Sequence, residues 1–158
     1  MTDRSDGYVD RETGTSFPDA RALVDEYIQR FSSKVSEAAG TEIRFDPLDE
    51  DGYSSVSRGS ATVGINVIEE QGILLFLCQI MKVPERRELE LYRQLLELNY
   101  IATSDGAFAI EKESDEVYLR ALRSLGGLDY EEFEDMLHTV AAVADEWDDK
   151  LRAEFAED

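Results

Sequence analysis

The chain has one cysteine and one histidine, and that scarcity excludes more than anything present in it does. Cys78 alone forms no intramolecular disulfide, which agrees with a reducing compartment. One Cys and one His cannot supply the four nitrogen or sulfur ligands of a structural zinc site, so no metal cofactor is expected. A Ser-His-Asp or Cys-His nucleophilic site would have to use His138, yet Cys78 sits inside an apolar run, where a thiol packs as a small hydrophobe. On a helical wheel His138 lies about 140° from the apolar stripe of its own segment, which places it in solvent. Long hydrophobic runs are missing too. The longest, Ile73 to Leu77, is strand length and far short of the ~20 apolar residues of a membrane helix. The first residues, Met1-Thr2-Asp3-Arg4-Ser5-Asp6-Gly7, show neither a cationic start nor an apolar signal region, so a cytoplasmic protein is expected. Glycine-rich phosphate loops are absent, Gly126-Gly127 being a lone pair.

Positive charge is also in short supply. With 36 acidic against 16 basic residues the formal net charge is -20, and a nucleic-acid partner, which needs a basic stripe to release counterions, is not expected. Only four of the basic residues are lysines, Lys34, Lys82, Lys112 and Lys150. That bias points toward adaptation to a salty interior, where high ionic strength screens self-repulsion. The acidic turn Asp46-Pro47-Leu48-Asp49-Glu50-Asp51-Gly52 invites a calcium reading but fails the EF-hand spacing: Leu48 falls at the third position and Gly52 at the seventh instead of the sixth. Asp145, Glu146, Asp148 and Asp149 read as the wet face of a helix, without the cleft that paired carboxylates need for acid-base work. No catalytic residue, cofactor site or metal site is assigned, and no enzyme is expected.

What is present is one domain's worth of patterned sequence, 158 residues of which 42% are hydrophobic. Residues 1–15 lack apolar periodicity and read as a mobile tail preceding a single domain over residues 16–158. A helix is predicted from Ser16, acting as cap with Pro18 in the first turn, through the stripe Leu23, Tyr27, Ile28, Phe31 and Val35 to Gly40. Ile43 and Phe45 could form a short edge strand. Three strands follow, Tyr53 to Arg58, Ala61 to Ile68 and Ile73 to Met81, joined by turns short enough for antiparallel hairpins. A second helix runs from Glu85 to about Asn99, and two strands, Phe108 to Lys112 and Val117 to Arg123, flank Ser114-Asp115. The last helix starts at Asp129 with Glu132 placed for a capping box, and its stripe is Phe133, Leu137, Val140, Ala144, Trp147 and Leu151. The expected fold is α+β, an antiparallel sheet of about five strands with three helices in the order α-β-β-β-α-β-β-α.

Two segments carry more apolar surface than one core contact uses. The third strand is apolar on both faces, so either its own helices or loops cover both sides or a partner covers one. Leu74, Phe76 and Ile80 are its candidate interface residues. The second helix has Leu89, Tyr92 and Leu96 on one side and Leu91, Leu95 and Leu98 on another, together spanning about 180°. Either the helix is sunk deep in the fold or one group faces a neighbour, and Leu91, Leu95 and Leu98 are taken as the candidate interface group.

Four pieces then stand out: Leu95-Leu96-Glu97-Leu98-Asn99-Tyr100, Gly106-Ala107-Phe108-Ala109-Ile110, Val117-Tyr118-Leu119-Arg120 and the run Val143 to Leu151. Asn99 could end a helix in a left-handed conformation and Gly106 could turn the chain into a strand. Between about Ala61 and Phe155, three-fifths of the chain, the sequence resembles the YbjN family, whose members share the fold of type III secretion chaperones. The resemblance implies a secretion chaperone-like fold, a homodimer, a non-enzymatic module that binds a protein partner or extended polypeptide, and acidity of a kind common among such chaperones. It implies, as the alternative, a regulatory domain in a bacterial pathway of sensory transduction. It brings no catalytic residues.

Overall fold

The computed structural model describes residues 7–157. The chain opens with a small antiparallel hairpin, β1 (Tyr8–Val9) and β2 (Ser16–Phe17), followed by the helix α1 (Ala20–Ala39). Then come β3 (Tyr53–Arg58), β4 (Ala61–Ile68), β5 (Ile73–Lys82), the helix α2 (Glu88–Asn99), β6 (Ala107–Glu111), β7 (Glu116–Ser124) and the long helix α3 (Tyr130–Phe155). The main sheet has the order β3-β4-β5-β7-β6, antiparallel throughout, and the α+β order expected from the sequence is the one found. Where the second helix and three of the strands begin and end differs by up to three residues. Arg87 is left-handed at φ 64°, so α2 starts at Glu88 rather than Glu85.

The helices pack on one side of the sheet. The inward parity of each strand supplies Val56, Val63, Ile65, Phe76, Leu119 and Phe108, all buried. Against these, α1 and α3 set an aromatic cluster: Phe133 lies 5.7 Å from both Phe76 and Tyr27, centroid to centroid. Tyr27 is fully buried and its hydroxyl donates to the Leu128 carbonyl at 3.2 Å, so its polar end is satisfied. The capping box at Asp129 is formed, with Glu132 N–H donating to Asp129 at 2.8 Å.

The N-terminal expectations need correction. Residues 7–15 are not a loose tail; residues 1–6 lie outside the described residues. Asp10 is fully buried, pairs with Arg30 of α1 and accepts from the Glu12 N–H at 2.9 Å. Burial alone would raise its carboxyl, but the backbone N–H groups of Glu12 and Thr13 and the Arg30 guanidinium outweigh that and hold it below the usual carboxylate range. Ser16 is not the helix cap. Phe17 precedes Pro18 and is therefore pushed to extended backbone, which suits β2, and Asp19 caps α1 by accepting from Ala22 N–H at 2.8 Å. Ile43 and Phe45 form no strand either. Serine hydroxyls of α1 lace them down: Ser36 accepts from the Ile43 N–H at 2.7 Å, and Ser32 from the Phe45 N–H at 3.2 Å.

Candidate functional site

Among the described residues two apolar surfaces remain uncovered, and they are made of other residues than the interface candidates named from the sequence. Leu74, Phe76 and Ile80 point inward and are at most 1% exposed, so they are core and not interface. Their neighbours of opposite parity, Ile73, Leu75 and Leu77, are half-buried on the outer face. Among the described residues no helix lies over that face: Leu75 pairs laterally with Asn66 and with Leu122, itself 39% exposed, and Leu77 with Gly64 and Arg120. The outer face thus has an apolar centre rimmed by Tyr53, Gln79, Tyr118 and Arg120. Gln79 was the available signal, because it shares the parity of Leu75 and Leu77 and has no reason to sit in a core.

The second helix is rotated the same way. Leu91 and Leu95 are buried, at 0% and 5%, and Leu98 is half-buried against the core, so this group is the inner one. Leu89 and Leu96 are exposed at 82% and 70%, with Tyr92 half-buried between them and Tyr100 and Ile101 exposed just past the helix end. The strip is flanked by an i,i+4 ion pair, Arg93 Nε to Glu97 Oε1 at 2.8 Å.

Asn99 holds the helix to the sheet. It is helical, not left-handed, and its side-chain amide stands in for a missing strand: Phe108 N–H donates to Asn99 Oδ1 at 2.7 Å while Asn99 Nδ2 donates to the Phe108 carbonyl at 3.2 Å. One amide thereby satisfies both backbone groups of an edge residue and blunts β6. Gly106 sits in a tight space. A Cβ there would sit 3.2 Å from the Thr103 carbonyl oxygen. The other edge, β3, is closed only at its start, where Asp49 N–H donates to the Tyr53 carbonyl at 2.8 Å; the outward-facing backbone of Ser55 and Ser57 has no partner among the described residues.

His138 is exposed, 3.6 Å from Glu134, with its ring edge-on to Phe31. Among the described residues no three His, Cys, Asp or Glu side chains are grouped to hold a metal ion, and no helix is long and apolar enough to cross a membrane.

The model of the Tir chaperone protein (CesT) family matches residues 40–148, which spans β3 to most of α3 and so contains both uncovered surfaces. The chain belongs to that family. A search of curated protein sequences finds no relative of it. Among solved structures, this CesT-family chain is similar to one in the ExsC-ExsE complex, with 22% identity over 79% of this chain and 93% of that one and a TM-score of 0.56. It is also similar to a chain of the HopA1-SchA chaperone-effector complex, at 8% identity over 80% and 97% with a TM-score of 0.57. YbjN from E. coli matches at 14% identity over 77% and 89%, again with a TM-score of 0.57. At these identities the likeness is one of fold, and it is the secretion chaperone-like fold that the sequence motifs implied.

Proposed function

We propose that this CesT-family chain is a cytoplasmic, chaperone-like module that carries out no reaction and holds an extended polypeptide on the outer face of its sheet. The observation that carries the reading is the apolar row Ile73, Leu75, Leu77 and Leu122 on a face left uncovered among the described residues; across β4 from it lies the β3 edge, where the backbone of Ser55 and Ser57 has no partner among those residues. An extended chain suits both features, because one stretch of it can pair its backbone with the edge while another lays its side chains on the apolar row. A folded globular partner would bury the row but leave the edge unused.

We further propose a homodimer through α2. The exposed residues Leu89, Leu96 and Tyr100, with half-buried Tyr92 among them, favour a second copy as their cover, because two α2 helices crossing antiparallel would set Arg93 of each opposite Glu97 of the other, and the patch is self-complementary in charge. Light scattering across a wide range of protein and salt concentrations should give twice the 17.9 kDa chain mass; a constant single-chain mass would refute the dimer.

Affinity capture with mass spectrometry, followed by hydrogen exchange on the recovered complex, tests the main reading. Secreted or unfolded clients should recur, and amides of β3 should slow when the client is bound. Recovery of one folded regulator with unchanged β3 exchange would favour instead a regulatory domain in a signalling pathway.

A further inference from the structure

The sheet contains a fork. The pairing of β4 with β5 runs from Ile68–Ile73 to Gly64–Leu77 and stops, although β4 begins at Ala61 and β5 continues to Lys82. Beyond Gly64, Thr62 and Ala61 stay with β3, while Cys78 onward stays with β7 through a bulge between Gln79 and Met81. The strands part around a cavity of about 570 Å³. It is lined by Tyr53, Thr62, Leu77, Gln79 and Tyr118, whose strand positions face the open side, and by Asp148 and Arg152 of α3, which packs on the covered side. Gly64 keeps the cavity open, since a Cβ there would lie 2.9 Å from the Tyr53 ring.

Asp148 is 5% exposed, and among the described residues only the Asp149 N–H donates to it, at 2.7 Å to Oδ1. Its Oδ2 has no partner and no basic group lies within ion-pair distance among those residues. The cations nearest in sequence make contacts of their own: Arg152, which lines the same cavity, has its Nε donating at 2.7 Å to the carbonyl of Ile80, the residue at the bulge, and Lys150 lies 3.8 Å from Glu146. A carboxylate oxygen that lines a pocket without a donor of its own is a ready acceptor for a cation, and a charge-assisted hydrogen bond is the stronger kind. Its charge reaches Cys78 on the same wall, where burial, reinforced by Asp148, pushes the thiol up to about 11. Tyr53 and Tyr118 also line the cavity, and aromatic rings attract cations.

We propose that this window receives the ammonium or guanidinium end of a lysine or arginine side chain of the polypeptide held on the open face, the aliphatic stem passing Tyr53 and Tyr118 and the charge meeting Asp148. The proposal rests on the reading of that face as a polypeptide-binding surface. It gives that surface a specificity element, a preference for a cationic residue within an otherwise apolar segment.

Amide NMR titrations test it at about 0.5 M salt, where the screening length is a few ångström and the protein's overall charge contributes little. The probes are a blocked peptide alternating leucine and serine with one central lysine, the same peptide with norleucine there, and n-butylammonium. The lysine peptide should bind about tenfold or more tighter than the norleucine peptide and shift the amides of Gly64 and Gln79. Asp148→Asn should abolish the difference and Asp149→Asn should keep it. Should Asp148→Asn fail to fold, Gln79→Lys, at an exposed position of the lining, should abolish the preference by supplying its own ammonium. Equal affinity of the two peptides would overturn the window while leaving the polypeptide-binding surface standing. Binding of n-butylammonium at Asp148 with neither peptide binding would overturn the polypeptide source and the reading beneath it.

Discussion

Exchanging the roles of the two leucine groups of α2 has consequences that two substitutions separate. Leu91 is fully buried, so Leu91→Ala removes its packing and leaves a cavity, a change that costs about 2–5 kcal/mol. At about 2–4 °C per kcal/mol for a chain of this size, a loss of about 3 kcal/mol lowers Tm by about 6–12 °C. Leu96 is 70% exposed, and in an isolated chain Leu96→Ala stays within about 0.5 kcal/mol of the parent. In a two-fold dimer it acts twice. Burying one leucine contributes about 1.5–3 kcal/mol, so losing the pair removes about 3 kcal/mol or more and raises the dimer dissociation constant about a hundredfold. Thermal melts at low protein concentration read the first effect, and light scattering over a dilution series reads the second. A Leu91→Ala protein that melts with its parent, alongside a Leu96→Ala protein that melts well below it, would mean the helix is turned the other way. An unchanged dissociation constant in Leu96→Ala would remove α2 from the interface.

Asn99→Ala should cost about 1–3 kcal/mol and speed exchange of the Phe108 amide, because both backbone groups of Phe108 lose their partner; an unchanged melt with Phe108 still protected would refute the strand-mimic role. Asp10→Asn should cost about 2 kcal/mol at neutral pH by removing the buried carboxylate that meets Arg30, which keeps only Glu26 at 3.2 Å. Since Asp10 is held below its unfolded value of about 3.9, the pair stabilises the fold above that pH and the benefit is lost as pH falls through the lower folded value. The gap in Tm between parent and variant should therefore close in acid, and a gap constant from pH 6 to pH 3 would contradict the assignment. With a net charge of -20, Tm should rise markedly between low and molar salt; a flat profile would argue against adaptation to a salty interior.

Particular residues explain why the candidate surfaces were harder to read than the fold. Leu91 and Leu96 are the same residue type on the same helix about 140° apart, and nothing local tells which side the sheet takes. On β5, Leu74 and Leu75 differ only in parity, and the polar Gln79 was the sole cue within the strand. The window was not legible at all. Asp148 sits in an acidic run, Asp145 to Asp149, that reads as a wet helix face, and only the parting of β4 from β5 shows that one carboxylate of that run lies under the sheet.

Local chemistry was enough to determine the order of the elements from α1 onward, the antiparallel hairpins of the main sheet and the capped start of α3. Those features depend on backbone preferences and side-chain periods that operate within a few residues. Tertiary structure decided which apolar face of α2 and β5 is inside, that Asp10 ties residues 7–15 to α1, that Asn99 finishes a sheet edge, and that the sheet forks over Asp148. Each of these is a contact between segments distant in sequence or a choice between faces of similar apolarity, and burial settles such a choice only when the whole core closes.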